Sequence, residues 1–194
     1  MKIVRYQAEV DESRCKGDKL CEGMCPAGAI TVVDKKAKVD PDKCMACLRC
    51  EDICPHEAVT MVELPMPRFV GVDISEIEKM DETELNAICL EAGLKANIPM
   101  CFCTWTLAKE ATTAIMQGAK TPEEVTRKTG VCTGCGIYCV GSVLKLLKAH
   151  WGELNPPASQ LWLDSTISMW DVPDEVEEKY PEFHLKEDKQ VLFE

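Results

Sequence analysis

Apolar and polar positions change their period along this chain. Two short β-rich runs, AITVV at 29–33 and AVTMV at 58–62, each follow a cysteine-rich loop and read as strands. Leu64-Pro-Met-Pro67 then punctuates the chain and reads as a first linker. Beyond it the period lengthens to that of a helix: Asp81 can cap a segment whose apolar face is Leu85, Ile88, Cys89 and Ala92. Cys89 sits on that face as a core residue, since free cysteine behaves as a small hydrophobe. A further helix carries Leu107, Ala111, Ala114 and Ile115 on one face and ends at Gly118. Thr121-Pro-Glu-Glu124 is a capping box with proline at the first helical position, opening a short helix through Val125 towards Lys128. A last helix is expected to turn Ile137, Val140, Leu144 and Leu147 inward. The fold class is α+β, in four segments: 1–66, a linker and helix at 67–97, a helix-turn-helix unit at 98–151, and an arm at 152–194.

The first segment repeats itself. Shifted by 29 positions, Cys15, Cys21, Cys25, Pro26, Ala29 and Thr31 fall on Cys44, Cys50, Cys54, Pro55, Ala58 and Thr60.

Composition turns the repeat into chemistry. The chain of 194 residues holds 13 cysteines against 3 histidines, a density that means either disulfides or metal ligation. The odd count, the tight cysteine runs and an N-terminus without an apolar signal segment favour metal in a reducing, cytoplasmic setting. No run approaches the roughly 18 apolar residues of a membrane span. The net charge is −11, and residues 152–194 hold 11 acids against 3 bases. Nucleic acid is disfavoured as a partner, because phosphate binding needs a clustered basic surface.

Cys44-Met-Ala-Cys47-Leu-Arg-Cys50-Glu-Asp-Ile-Cys54-Pro55 has the spacing C-x2-C-x2-C-x3-C-P. That spacing gathers three thiolates on one iron–sulfur cluster and sends the fourth to another. Zinc, the alternative, commonly uses two separated knuckles and does not need this run twice. Over about residues 1–66 the chain resembles the bacterial two-cluster ferredoxins. The resemblance implies a pseudo-twofold fold with crossed ligation, Cys44, Cys47 and Cys50 joining Cys25, and Cys15 and Cys21 joining Cys54. One position departs from the pattern: the repeat sets Asp18 where the second copy has Cys47. Oxygen is a harder donor than thiolate. That site is therefore expected to hold a labile Asp-ligated [4Fe–4S] cluster or a [3Fe–4S] cluster, unless Asp18 simply faces solvent. The other site is expected to hold [4Fe–4S]. With few large apolar side chains, this segment should depend on its metal to fold.

The second constellation is different. Met100-Cys101-Phe-Cys103 is followed by Thr121-Pro-Glu-Glu-Val125 and then by Thr129-Gly-Val-Cys132-Thr-Gly-Cys135-Gly-Ile-Tyr-Cys139-Val. Over roughly 98–150 this pattern is similar to the family of bacterioferritin-associated ferredoxin, which implies one [2Fe–2S] cluster on four cysteines. Five are present. The expected set is Cys101, Cys103, Cys135 and Cys139 with Cys132 in reserve, and positions 132, 135 and 139 would share one face if helical. A glycine-rich helix start would offer the anionic site free N–H groups. Zinc on the same cysteines is the alternative.

The arm holds Trp162 and Trp170 within an acidic stretch. A disordered tail is poor in aromatics, so the arm is expected to dock those tryptophans on a partner subunit, or otherwise to cover its own modules. No dinucleotide fingerprint, P-loop or His-bearing catalytic group occurs in the chain. The expectation is an electron-transfer subunit of an oxidoreductase complex, with catalysis in a partner such as a flavoprotein. A redox or iron sensor, and a cluster-assembly or iron-release factor, are the alternatives.

Overall fold

The computed structural model describes residues 2–154, Trp162, 174–184 and Glu187. It is a mixed α/β protein with small sheets. In the first part, β1 (Lys2–Val10) pairs antiparallel with β4 (Val59–Val70), and β2 (Ile30–Val33) with β3 (Lys36–Val39). The 29-residue shift relates the two ribbons by exchanging partners: Val10 faces Val59 and Val39 faces Ile30. Backbone bonds cross in the same way, from Asp11 N–H to Ala58 O and from Asp40 N–H to Ala29 O, both at 2.8 Å. The one-turn helices α1 (Leu20–Gly23) and α2 (Arg49–Asp52) correspond too, each entered through a left-handed residue, Lys19 (φ 66°) and Leu48 (φ 67°).

Leu64–Pro67 is not a linker. These residues lie within β4, opposite Arg5 alone, because Tyr6 pairs with Glu63 and Val4 with Arg68. Each ribbon has only two strands, so the two prolines can occupy a bulge without removing an N–H that a neighbouring strand needs.

The second part has a larger core. After α3 (Ile74–Ile77) come α4 (Glu82–Glu91), a hairpin of β5 (Pro99–Cys101) and β6 (Thr106–Leu107), then α5 (Ala108–Met116), α6 (Pro122–Thr129) and α7 (Val140–Trp151). Asp81 caps α4 by accepting from Glu84 N–H at 2.9 Å. Thr121 and Glu124 form the capping box of α6. Leu85, Ile88 and Cys89 of α4 are buried with Ile115, Val143 and Leu147 in one cluster, so the helix of 67–97 belongs to this core rather than to a linker. Cys89 is fully buried there. Leu107 ends β6 and precedes α5 rather than lying within it.

Two expectations fail at the last helix. Ile137 is 81% exposed, and positions 132 to 139 form a loop that ends where α7 begins. Gly130, Cys132 and Gly136 take φ of 78°, 65° and 61°, which a right-handed helix cannot contain. The arm differs as well. Trp162 is fully buried in the helical cluster, so it packs on the protein's own core and not on a partner, while Trp170 lies outside the described residues. The described remainder of the arm includes α8 (Asp174–Lys179) and a 3-10 turn at Pro181–Phe183.

The two parts are packed together. Arg127 of α6 donates to Ala27 O at 2.7 Å, and a Cβ on Gly28 would meet Glu123 at 3.3 Å.

Candidate metal centres

The cysteine loops of the first part converge as two groups. Cys15, Asp18 and Cys54 are the negative groups near enough to oppose ionisation of Cys21. Around Cys50 the corresponding groups are Cys47, Cys25 and Cys44. Each group therefore draws on both copies of the repeat. Asp18 lies among the first, with Oδ1 accepting from Leu20 N–H at 3.2 Å and Oδ2 3.4 Å from His56 Nε2.

Amide donors aim at the sulfurs in symmetric pairs. Ala29 N–H donates to Cys25 Sγ at 3.2 Å and Ala58 N–H to Cys54 Sγ at 3.4 Å. Ala8 N–H donates to Cys44 Sγ and Ala37 N–H to Cys15 Sγ, both at 3.4 Å. Ala8 and Ala37 are themselves 29 positions apart, and each serves a cysteine of the other copy. Donors of this kind favour the charged form of sulfur, whereas burial opposes it. In the metal-free chain burial prevails: it pushes Cys21 up to about 11, and raises Cys25, Cys47 and Cys50 above the ordinary thiol value. Thiols held neutral but already facing amide donors suit a metal that displaces their protons.

In the second part the hairpin presents Cys101 and Cys103, and the loop before α7 presents Cys132, Cys135 and Cys139. Two sulfur pairs bridge them. Cys101 S–H donates to Cys139, and Cys103 S–H to Cys135. Cys135 N–H also donates to Cys103 Sγ at 3.4 Å. Cys132 Sγ lies 3.3 Å from Cys139 Sγ on the buried side, so all five cysteines share one constellation. The bond donated to Cys139, together with burial, pushes Cys101 up to about 12. For Cys139 the bond from Cys101 pulls downward, but Cys132 and burial outweigh it, again to about 12. Cys135 is the opposite case: it is exposed, and N–H groups of Ile137 and Tyr138 hold it below the ordinary thiol value. These donors come from the turn before α7, where glycine-rich backbone leaves amides unpaired. Phe102, Trp105 and Tyr138 stand exposed beside this outer pair, with Phe102 and Tyr138 ring centroids 5.2 Å apart.

Among the described residues no three His, Cys, Asp or Glu side chains are arranged to hold a single metal ion. The donor set here is almost wholly thiol, the type that iron–sulfur clusters use.

Reactivity should follow this division. In metal-free protein at neutral pH, iodoacetamide is expected to modify Cys135 first and buried thiols such as Cys89 and Cys139 well after it, since only thiolate reacts and burial holds them neutral. Peptide mass spectrometry over a labelling time course measures the order.

Three neighbours of the cysteines escaped the sequence reading. His56, Lys2 and Arg49 carry no motif. The amides of Ala8 and Ala37 were legible in principle, by extending the 29-residue shift outward from the cysteines.

Cysteine groups of this kind, on short loops lined by amide donors, define an iron–sulfur protein. The comparisons give the particular domains. Residues 9–64 match the LdpA Fe-S cluster-binding domain, and residues 99–149 match the BFD-like [2Fe-2S] binding domain. No curated protein and no solved structure matches the chain. No described helix is long and apolar enough to cross a membrane.

Proposed function

We propose that the chain is an electron-transfer component of a larger oxidoreductase system, holding three clusters and passing electrons between a cofactor-bearing partner, such as a flavoprotein, and a redox carrier. The observation that carries this reading is the packing of two iron–sulfur-binding domains against each other in one short chain, with Cys103 and Cys135 exposed at the outer end of the second. When bound, such clusters supply one-electron redox chemistry, with potentials set by ligands, hydrogen bonds and exposure.

The neighbours just described support the following ligand sets. Cys25, Cys44, Cys47 and Cys50 hold a [4Fe–4S] cluster. Cys15, Cys21, Cys54 and Asp18 hold the second cubane site, as [4Fe–4S] or, with the Asp18 corner empty, [3Fe–4S]. Cys101, Cys103, Cys135 and Cys139 hold [2Fe–2S], the pairing of Cys101 with Cys139 and of Cys103 with Cys135 leaving Cys132 over. In this reading residues 1–66 form a ferredoxin-like unit, the aromatic side chains beside Cys103 form part of the partner surface, and the protein works in the cytoplasm.

Anaerobic purification followed by iron and sulfide analysis and EPR, before and after dithionite, tests this. About ten irons per chain, or about nine with an empty Asp18 corner, and signals of both cluster types are expected. Zinc in place of iron, or one cluster type alone, would overturn the reading. Asp18→Cys restores the all-cysteine pattern of the second copy. It is expected to convert any [3Fe–4S] signal of the isolated protein to [4Fe–4S] and to slow iron loss in air, followed by EPR and iron assay.

A further inference from the structure

Between the two cysteine constellations lies a seam built by Arg49 and Lys2. Arg49 opens α2, between Cys47 and Cys50 in sequence, and crosses to the second part, where Nη2 donates to Gly134 O at 3.3 Å. A Cβ on Gly136 would fall on its guanidinium, and the φ of +61° there disfavours any side chain. Glycine thus lets the guanidinium lie against the loop that carries Cys135. Cys47, Arg49, Asp52, Gly134 and Cys135 line an open cleft of about 420 Å³ at this junction. Lys2 enters from β1 and packs on Gly130, where a Cβ would stand 3.0 Å from that of Lys2. Its ammonium lies within electrostatic reach of Cys44 and Cys47 on one side and Cys101 on the other.

Neither cation has a carboxylate partner among the described residues. Arg49 Nε is moreover buried without a hydrogen-bond acceptor. Partly buried cations are ordinarily paired, because desolvation penalises charge. Here the groups on either side are the two cysteine sets proposed above as ligands, which are anionic when they hold iron. That supplies the missing counter-charge.

We propose that Arg49 and Lys2 form a cationic seam that offsets the negative charge of the Cys25/Cys44/Cys47/Cys50 site and of the [2Fe–2S] site together, raising the reduction potentials of both. The inference rests on the ligand sets proposed above. Arg49 and Lys2 act as tuning and positioning residues, not as ligands: each reduction adds one negative charge, and a fixed cation favours the reduced state of whichever site it adjoins.

EPR-monitored redox titration of the full chain tests the seam, with Arg49→Gln, Arg49→Lys and Lys2→Gln compared with the exposed control Lys145→Gln. Arg49→Gln is expected to lower the potentials of the [2Fe–2S] site and the adjoining [4Fe–4S] site together, while the Asp18 site stays put. Lys2→Gln is expected to act in the same direction, and Arg49→Lys to recover part of the loss because it keeps the charge but not the fork. No shift, a shift at one site only, or equal shifts at all three would overturn the proposal. Should Arg49→Gln be isolated without iron, Arg49→Lys and Lys2→Gln decide by the same criteria. Wild-type protein lacking iron at either site overturns the ligand sets and the seam with them. Wild-type protein with every site filled, and variants that do not shift, overturns the seam alone.

Discussion

Chelating the iron under anaerobic conditions is expected to unfold residues 2–66 while the helical part keeps its secondary structure. The two cores explain the difference. The buried cluster of the first part holds five cysteines and five alanines, with only Val4, Ile30, Met45 and Val59 as larger apolar side chains. Each of those contributes roughly 1.5–3 kcal/mol on burial, against an ordering entropy of about 1–2 kcal/mol for every residue fixed. Metal–ligand bonds must supply the remainder. The helical cluster instead buries Leu85, Ile88, Ile115, Leu144, Leu146, Leu147 and Trp162 among its larger members. Hydrogen exchange read by mass spectrometry on holo and chelated protein measures both parts at once. Uniform loss of protection, or none, would contradict the account.

The chelated helical part should also respond to pH in a definite direction. Burial and sulfur contacts raise Cys101 and Cys139 to about 12 in the fold, against an ordinary value of 9.0. A group raised on folding contributes stability that is fully present below its unfolded value and lost as pH climbs through its folded one. The contribution of these two thiols to metal-free stability is therefore expected to be lost as pH climbs from about 9 towards 12. Urea denaturation across that range measures it.

The second large effect is at the [2Fe–2S] ligands. Cys139→Ser and Cys103→Ser are each expected to abolish the [2Fe–2S] EPR signal and to remove about two irons per chain. Cys132→Ser is expected to keep both. The distinction comes from the pairing: Cys101 meets Cys139 and Cys103 meets Cys135, so each thiol of the hairpin has a counterpart in the loop, whereas Cys132 lies against another loop thiol, Cys139. Loss of the signal in Cys132→Ser, with retention in Cys139→Ser, would exchange the two roles. Rescue of Cys139→Ser by exogenous thiol would separate a missing ligand from a misfolded loop.

Much of this protein was legible in its residues because the informative features are local. Spacing within a cysteine run is a property of neighbouring residues, and the 29-residue repeat by itself implies two equivalent units. The capping box at Thr121 and the apolar face of α4 are likewise decided within one or two helical turns, where backbone bonds and side-chain periodicity act directly.

What the tertiary structure decided are the relations between distant segments. Leu64–Pro67 reads as a break, yet it stays in β4 because β1, some sixty positions away, pairs on both sides of the bulge. Cys132 to Cys139 reads as the start of a helix, yet left-handed backbone at Cys132 and Gly136 opens it into the loop that brings Cys135 to Cys103. Trp162 reads as an interface anchor, yet the core of α4, α5 and α7 takes it in. Lys2 and Arg49 show the limit most plainly. Nothing in their local sequence marks them, since a charge acquires its role from the charges packed around it, and only the fold determines which those are.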